Sequence, residues 1–290
     1  VELHVIFGQG DVRIDLEHVY FHRLAASAGS LAAAIETAEV LDEISPDAVE
    51  FADAFGLGAV FLSKRGRSSA RGGPVSTVVH HTGFREIWEW GSKRKFEESP
   101  LFFRRVVALE DLQSALVEAH AAPSKFLAGF LSEKMGREVG IRRYPAQTGF
   151  AAKPEPTTHS DRVRLVSFGR FEARKCQLDL IVSAVELLEQ GLDFEIMFIG
   201  GSTPDWDTGV DYRTLCFDRI PDQFLGNFRF FDYMSISRLA DFASTAKWMV
   251  IPSKFENFPN TAIEALQVGV PVIGSEESGV ADFAEDFPSV

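Results

Sequence analysis

Two glutamates define the first chemical question in this chain. Glu256 and Glu264 stand in Phe255-Glu256-Asn257-Phe258-Pro259-Asn260-Thr261-Ala262-Ile263-Glu264-Ala265. A carboxylate accepts hydrogen bonds from two adjacent hydroxyls, which suits the diol of a ribose or a hexose. An apolar strand over Trp248–Ile251 runs into Pro252-Ser253, Pro259 marks a first helical turn, and a helix over Thr261–Val268 ends at Gly269. Glu256 then precedes the helix and Glu264 lies in its second turn, so both can face one ligand from different depths. Free backbone N–H groups around Asn257 to Thr261 can meet a phosphate or a sugar hydroxyl. The alternative makes Glu256 an exposed loop acid and Glu264 a helix-surface residue. The apolar neighbours Ala262, Ile263, Ala265 and Leu266 fit that alternative poorly.

A second group lies upstream, in Ser167-Phe168-Gly169-Arg170-Phe171-Glu172-Ala173-Arg174-Lys175. A strand ending at Gly169 permits close backbone approach. Arg170 and Lys175 lie in the turn before a helix, where an Arg fork and a Lys point charge suit a diphosphate. Read alone, the same turn is equally a solvated basic loop. Gly269-Val270-Pro271-Val272-Ile273-Gly274-Ser275, a third feature, is by itself only a core strand with turn residues.

The elements that must position these residues follow from the alternation of short apolar runs with helical periodicity, the pattern of parallel βαβ units. In the first half the strands are expected at Leu3–Phe7, Val19–Arg23, Ala48–Phe51 and Val75–His80. Helices are expected at Leu31–Leu41, Phe103–Ala119 and Lys125–Lys134, the last capped by Ser124 and closed by Gly136. Residues 144–160 hold Pro145, Gly149, Pro154 and Pro156 without sustained periodicity and read as a linker. The second half predicts strands at Arg162–Phe168, Phe194–Ile199, Phe228–Phe231, Trp248–Ile251 and Pro271–Gly274. Its helices are expected at Lys175–Gln190, stopped by Gly191, from Ser235 to Ala246, and at Thr261–Val268. The domains are therefore placed at 1–143 and 161–290. Ligands of such sheets bind beyond the carboxyl ends of the strands, where both groups fall.

Ile251-Pro252-Ser253, Glu256-Asn257-Phe258-Pro259-Asn260, Glu264-Ala265 and Gly269-Val270-Pro271-Val272 together resemble the Glu-x7-Glu motif of glycosyltransferase family 4, the group 1 family of GT-B enzymes. The Gly169-Arg170…Lys175 turn is similar to that family's diphosphate-binding turn, at the expected distance upstream. The resemblance implies an α/β fold of two Rossmann-like domains facing across a cleft. It also implies a retaining glycosyltransferase of hexosyltransferase type, taking a UDP-, GDP- or ADP-sugar as donor. Carried over by position, Glu256 binds donor-sugar hydroxyls and Glu264 the ribose, while Arg170 and Lys175 neutralise the departing diphosphate. Gly169 and the Asn257–Thr261 turn, with Phe258, Pro259 and Asn260, complete the donor side. Cys176 departs from the family, which often has glycine after the lysine.

The first half resembles the family's acceptor-side domain more loosely. Asp47-Ala48-Val49-Glu50-Phe51 is similar to its strand entering a glycine loop, here Gly56 and Gly58, and Ala122-Pro123-Ser124 to its Pro-Ser turn. Val78-Val79-His80-His81-Thr82 resembles its strand ending in a catalytic histidine, which selects His81. The residue-level alternative is one hydrogen-bonded core histidine and one exposed neighbour. Phe7-Gly8-Gln9-Gly10-Asp11 lacks the third glycine of a dinucleotide fingerprint and reads as a turn. The chain opens without Met, and the family's opening strand and closing helices are not evident, so both domains are expected to be incomplete, truncated at both ends.

Composition limits the partners. Lys+Arg 29 against Asp+Glu 42 gives a net charge of −13, which repels nucleic-acid backbones and makes them poor partners. Lys64-Arg65-Gly66-Arg67, Arg71 and Lys93-Arg94-Lys95 stand against that background. They are read as solvated loops, or as contacts to an anionic acceptor or an acidic membrane surface assisted by Phe102-Phe103-Arg104-Arg105. Cys176 and Cys216 match no metal-ligand spacing and build no disulfide framework, which suits a reducing cytoplasm, with the inner face of a membrane as a peripheral option. No aspartate pair of metal-binding type stands out, and neither a required metal nor a cofactor is expected beyond the donor substrate. Acceptors compatible with this reading are carbohydrate, lipid or other hydroxyls. A GT-B epimerase or hydrolase of nucleotide sugars, and a catalytically degenerate GT-B interaction module, remain the rival readings.

Overall fold

The computed structural model describes residues 2–7, 17–65, 75–81, 83–92, 94–143, 150 and 162–282. The turn expected at Gly8–Asp11, the basic residues of 66–71, Thr82, Lys93 and the linker other than Phe150 lie outside them. The chain forms two compact units. One comprises Val1–Glu89, Arg94–Pro123 and Ala128–Arg142, and the other Trp90–Lys93, Ser124–Leu127 and Arg143–Val290.

In the first unit the strands are β1 (Leu3–Phe7), β2 (Val19–Arg23), β3 (Ala48–Ala52), β4 (Val75–Val79), β5 (Ala119–Ala122) and β6 (Gly140–Ile141). The helices are α1 (Leu31–Ile44), α2 (Ala59–Arg65), α3 (Phe84–Ser92), α4 (Leu101–Leu116) and α5 (Lys125–Met135), with the end of α3 from Trp90 and the start of α5 through Leu127 belonging to the second unit. β3-β4-β5-β6 form a parallel sheet and β1-β2 a parallel pair. Ser30 caps α1 by accepting from the Ala33 N–H at 3.2 Å. The helix expected to reach Ala119 stops at Leu116, because Val117 is extended and Ala119–Ala121 pair with Thr77–Val79 of β4. Ala-rich sequence favours helix locally, and sheet pairing overrides it.

The second unit holds β7 (Val163–Phe168), α6 (Gln177–Glu189), β8 (Phe194–Ile199), α7 (Tyr212–Phe217), β9 (Phe228–Phe231), α8 (Ile236–Ser244), β10 (Trp248–Ile251), α9 (Asn260–Gln267) and β11 (Val272–Gly274). Its sheet runs β11-β10-β7-β8-β9, parallel throughout. Every residue of β8 is buried, as a central strand covered on both faces must be. Period-2 alternation splits its side chains between two cores. Met197 and Ile199 meet Ala240, Ala243, Ala262 and Ala265 of α8 and α9, whereas Ile196 and Phe198 meet Ile181 and Ala184 of α6 and Cys216 of α7. Truncating a fully buried ring such as Phe198 costs about 3–5 kcal/mol.

Strand order decides where a ligand fits. From β7 the chain adds β8 and β9 on one side, then returns to place β10 on the other edge of β7, followed by β11. The order therefore reverses between β7 and β10, and the crevice beyond their carboxyl ends is the binding position of an open parallel sheet. Gly169–Lys175 leaves β7 there, and Pro252–Pro259 leaves β10.

Candidate functional site

Local packing aims the first turn. Gly169 takes φ 143° and donates its N–H to the Ile199 carbonyl at 3.0 Å. A Cβ on its neighbour Gly200 would meet the Gly169 carbonyl oxygen at 2.2 Å, so this close approach of two strand ends requires glycine. Phe171 is fully buried against Phe198 and Phe230, and its N–H donates to Gly201 O at 2.7 Å. Gln177 holds the Arg170 carbonyl at 2.9 Å. With Phe171 anchored inward, the Arg170 side chain remains 63% exposed, 3.7 Å from Glu172.

The helix expected from Lys175 begins instead at Gln177. Ala173–Lys175 form a short 3-10 turn, and Cys176 lies in the left-handed region at φ 55°, ψ 29°. Glycine is the residue that adopts this conformation without strain. A side chain there costs roughly 1 kcal/mol. The turn puts Arg174 and Lys175 on the same carboxylate, that of Glu256. Lys175 Nζ donates to Glu256 Oε1, and Arg174 Nη1 donates to Glu256 Oε2 at 3.3 Å. Ser253 Oγ adds a bond to Oε1 at 2.7 Å. Arg174 also donates to the Phe255 carbonyl, and to Glu172 Oε1 at 2.6 Å.

Glu256 is 4% exposed. Burial pushes its pKa up, but the charges of Lys175 and Arg174 and the bonds from Lys175 and Ser253 outweigh burial and hold it below the usual carboxylate range. The segment around it is braced on both sides. Lys254 N–H donates to Arg174 O at 3.0 Å, Ser275 Oγ donates to Ser253 O, and the buried Phe255 ring stacks on Trp90 at 5.5 Å. Glu264, on α9, is half-buried, and burial pushes it up. Among the described residues no hydrogen bond or ion pair reaches its carboxylate.

The N–H groups expected to be free at the start of α9 are only partly so. That of Phe258 donates to Asn257 Oδ1 at 2.8 Å, and that of Asn260 to Phe258 O at 2.9 Å, because Pro259 at φ −78°, ψ 75° folds the turn on itself. The Phe258 side chain belongs to the core. The Asn257 carbonyl accepts from Ser124 Oγ at 2.7 Å, and Thr261 lies half-buried in the first turn of α9.

The first unit contains a different polar cluster, at the ends of β3 and β4. His80 is the buried histidine of the pair. Its Nε2 is 3.0 Å from His120 Nδ1, and His120 Nε2 is 3.1 Å from Arg137 Nη1. A guanidinium only donates, so His120 carries its proton on Nδ1 and His80 on Nδ1, facing Asp53 Oδ2 at 3.7 Å. Burial, and then the neighbouring His80 and Arg137, push His120 down to about 4. His81 is half-buried, and its backbone N–H donates to Asp53 Oδ2 at 2.9 Å. Glu110 of α4 accepts from Phe55 N–H at 3.0 Å and Phe84 N–H at 3.1 Å; burial pushes it up to about 8. Gln113 completes the brace, donating to Ala52 O and accepting from Gly58 N–H. Sequence reading missed Arg174, Glu172, Ser253, Asp53 and Glu110. Only Arg174 left a visible signal, as a second cation beside Lys175.

Elsewhere, Phe103 is buried beside Trp88, so the quartet 102–105 does not present both rings at the surface. Among the described residues no helix is long and apolar enough to cross a membrane, and no group of three or more His, Cys, Asp or Glu is placed to hold a metal ion.

A parallel sheet with charged loops at its reversal point makes this an α/β protein, and the fold matches that of GT-B glycosyltransferases. Sucrose-phosphate synthase from Thermosynechococcus elongatus aligns at TM-score 0.70 and 15% identity, covering 96% of this chain and 72% of that one. WaaG, a glycosyltransferase involved in lipopolysaccharide biosynthesis, aligns at 0.65 and 13%, covering 99% and 76%. Anabaena HepE, in complex with UDP and glucose, aligns at 0.63 and 14%, covering 91% and 69%. Residues 151–288 match the family model described as glycosyl transferases group 1. That domain, with the fold, supports a glycosyltransferase enzyme. No curated protein matches the chain.

Proposed function

We propose that the chain transfers a sugar from a nucleoside diphosphate sugar to an acceptor hydroxyl with retention of anomeric configuration. The observation that carries this reading is the convergence of Arg174, Lys175 and Glu256 on one point beside the β7/β10 reversal. The bond between the anomeric carbon and the diphosphate oxygen breaks, the diphosphate leaves with the electron pair, and the sugar passes through an oxocarbenium-like state; the acceptor oxygen then bonds the anomeric carbon on the same face and gives its proton to the departing diphosphate. Lys175 and the exposed Arg170 stabilise the charge developing on the diphosphate. Glu256 accepts hydrogen bonds from sugar hydroxyls, and Glu264 from those of the ribose. Gly169 and the backbone from Asn257 to Thr261 line the donor. His81, assigned by resemblance, helps to place or polarise the reacting centre.

UDP-glucose is the first donor to try, because a structural neighbour is described with UDP and glucose. The test incubates the chain with UDP-, GDP- and ADP-glucose, with and without a panel of sugar and lipid acceptors, and follows the products by NMR. The expected product is an α-glycoside, formed only with acceptor. Free glucose in its absence identifies a hydrolase, an altered nucleotide sugar an epimerase, and neither turnover nor binding an interaction module.

A further inference from the structure

The donor-site reading leaves Lys175 with two tasks. In the structure its ammonium lies on Glu256 Oε1, yet the proposed reaction requires it on the diphosphate. If Lys175 were the only cation on Glu256, moving it would leave a buried carboxylate without a charge partner, at a large energetic cost. Arg174 removes this conflict. It approaches the other oxygen, Oε2, at 3.3 Å, and it is itself only 14% exposed. Its fork is fixed at three points, by the Phe255 carbonyl, Glu256 and Glu172. The backbone bond from Lys254 N–H to Arg174 O ties the same residue to the loop that carries Glu256.

We infer that Arg174 is a positioning residue that holds the Glu256 carboxylate toward the donor sugar, so that Lys175 can exchange from Glu256 to the donor diphosphate. This rests on the donor-site reading and adds a division of labour within it. An ionised carboxylate offers about four acceptor positions. Ser253 and Lys175 occupy Oε1 and Arg174 takes one position on Oε2, which leaves one on Oε2 and, once Lys175 moves, one on Oε1. Two vacant positions on one carboxylate match the two hydroxyls of a sugar diol. Lysine has no fork and cannot reproduce the three-point attachment of arginine, although it can still supply one charge.

The experiment compares calorimetric binding of three pairs, UDP and UDP-glucose, GDP and GDP-glucose, ADP and ADP-glucose, to the chain and to R174M, R174K and K175A. The parent chain is expected to bind one sugar nucleotide more tightly than its diphosphate. In R174M affinity for the diphosphate falls about tenfold, roughly 1.4 kcal/mol, because Lys175 is then held on Glu256, and the increment added by the sugar falls as well. R174K recovers part of the increment. K175A weakens the diphosphate and its sugar derivative alike. A full increment in R174M, or in R174K if R174M does not fold, overturns the role of Arg174. A parent chain that binds none of the six ligands overturns the donor-site reading itself, so the two failures are distinct.

Discussion

Each unit buries a cluster of ionisable side chains, and the two clusters meet burial in opposite ways. In the second unit Glu256 is buried beside Lys175 and Arg174, and the opposite charges keep it ionised against the cost of burial. In the first unit Glu110 has two backbone N–H partners and, among the described residues, no paired cation, and it is pushed up to about 8. His120 sits between another histidine and a guanidinium and is pushed down to about 4. One cluster thus stores charge and the other discharges it. A stored charge beside a strand-order reversal can act on a polar ligand, whereas the acids of the first unit chiefly brace backbone: Asp53 holds the His81 N–H, and Glu110 the N–H groups of Phe55 and Phe84.

Breaking the charged cluster has the largest predicted effect. Lys175→Ala lowers kcat by about 10²–10³-fold, the scale of losing one stabilising group for developing charge. Steady-state rates with the preferred donor check it, and a rate within threefold of the parent would remove Lys175 from the mechanism. Separating the two kinds of histidine gives the next effect. His81→Ala lowers kcat by about 10²-fold, in the range of a positioned acid–base or polarising side chain. His120→Gln changes kcat by less than about threefold, since among the described residues its imidazole bonds only to His80 and Arg137.

The discharged cluster is sharpened by pH. Glu110 has a raised folded value, so its stabilising contribution is complete below about 4.5 and is lost as pH rises toward about 8. That loss amounts to about 5 kcal/mol at most. His120 has a depressed folded value, so its contribution is complete above about 6.5 and is lost as pH falls toward about 4, by about 1–2 kcal/mol after allowance for screening. Urea unfolding across pH 4–9 reads both limbs. Glu110→Gln should flatten the alkaline one and His120→Gln the acid one; unchanged profiles would place the neutralisation elsewhere. The smallest expected effect is at the cysteines. Burial pushes Cys176 up to about 11 and Cys216 up to about 12, so neither thiol should react with an alkylating agent at pH 7.5 until the chain unfolds.

Legibility in the sequence follows the range of the forces involved. β8 and β10 were readable because largely buried parallel strands need short continuous apolar runs, and Gly191 and Gly269 stop α6 and α9 with the positive φ that glycine tolerates. The start of α6 was not readable, since Cys176 occupies a left-handed position where glycine is usual. Nor could spacing rank three cations in one turn. Phe171 is anchored in the core and leaves Arg170 outside, while Arg174 lies buried against Glu256. Asp53 and Glu110 act on backbone far away in the chain, and no local pattern encodes such contacts.

Hydrogen exchange on the chain with and without saturating UDP-glucose, or whichever of the GDP and ADP sugars binds more tightly, tests the central claim most directly. The account predicts slowed exchange in 169–177 and 253–264 on ligand addition, and loss of that protection in Lys175→Ala at the same ligand concentration. Ligand-dependent protection confined to other segments would contradict a donor site at the β7/β10 reversal.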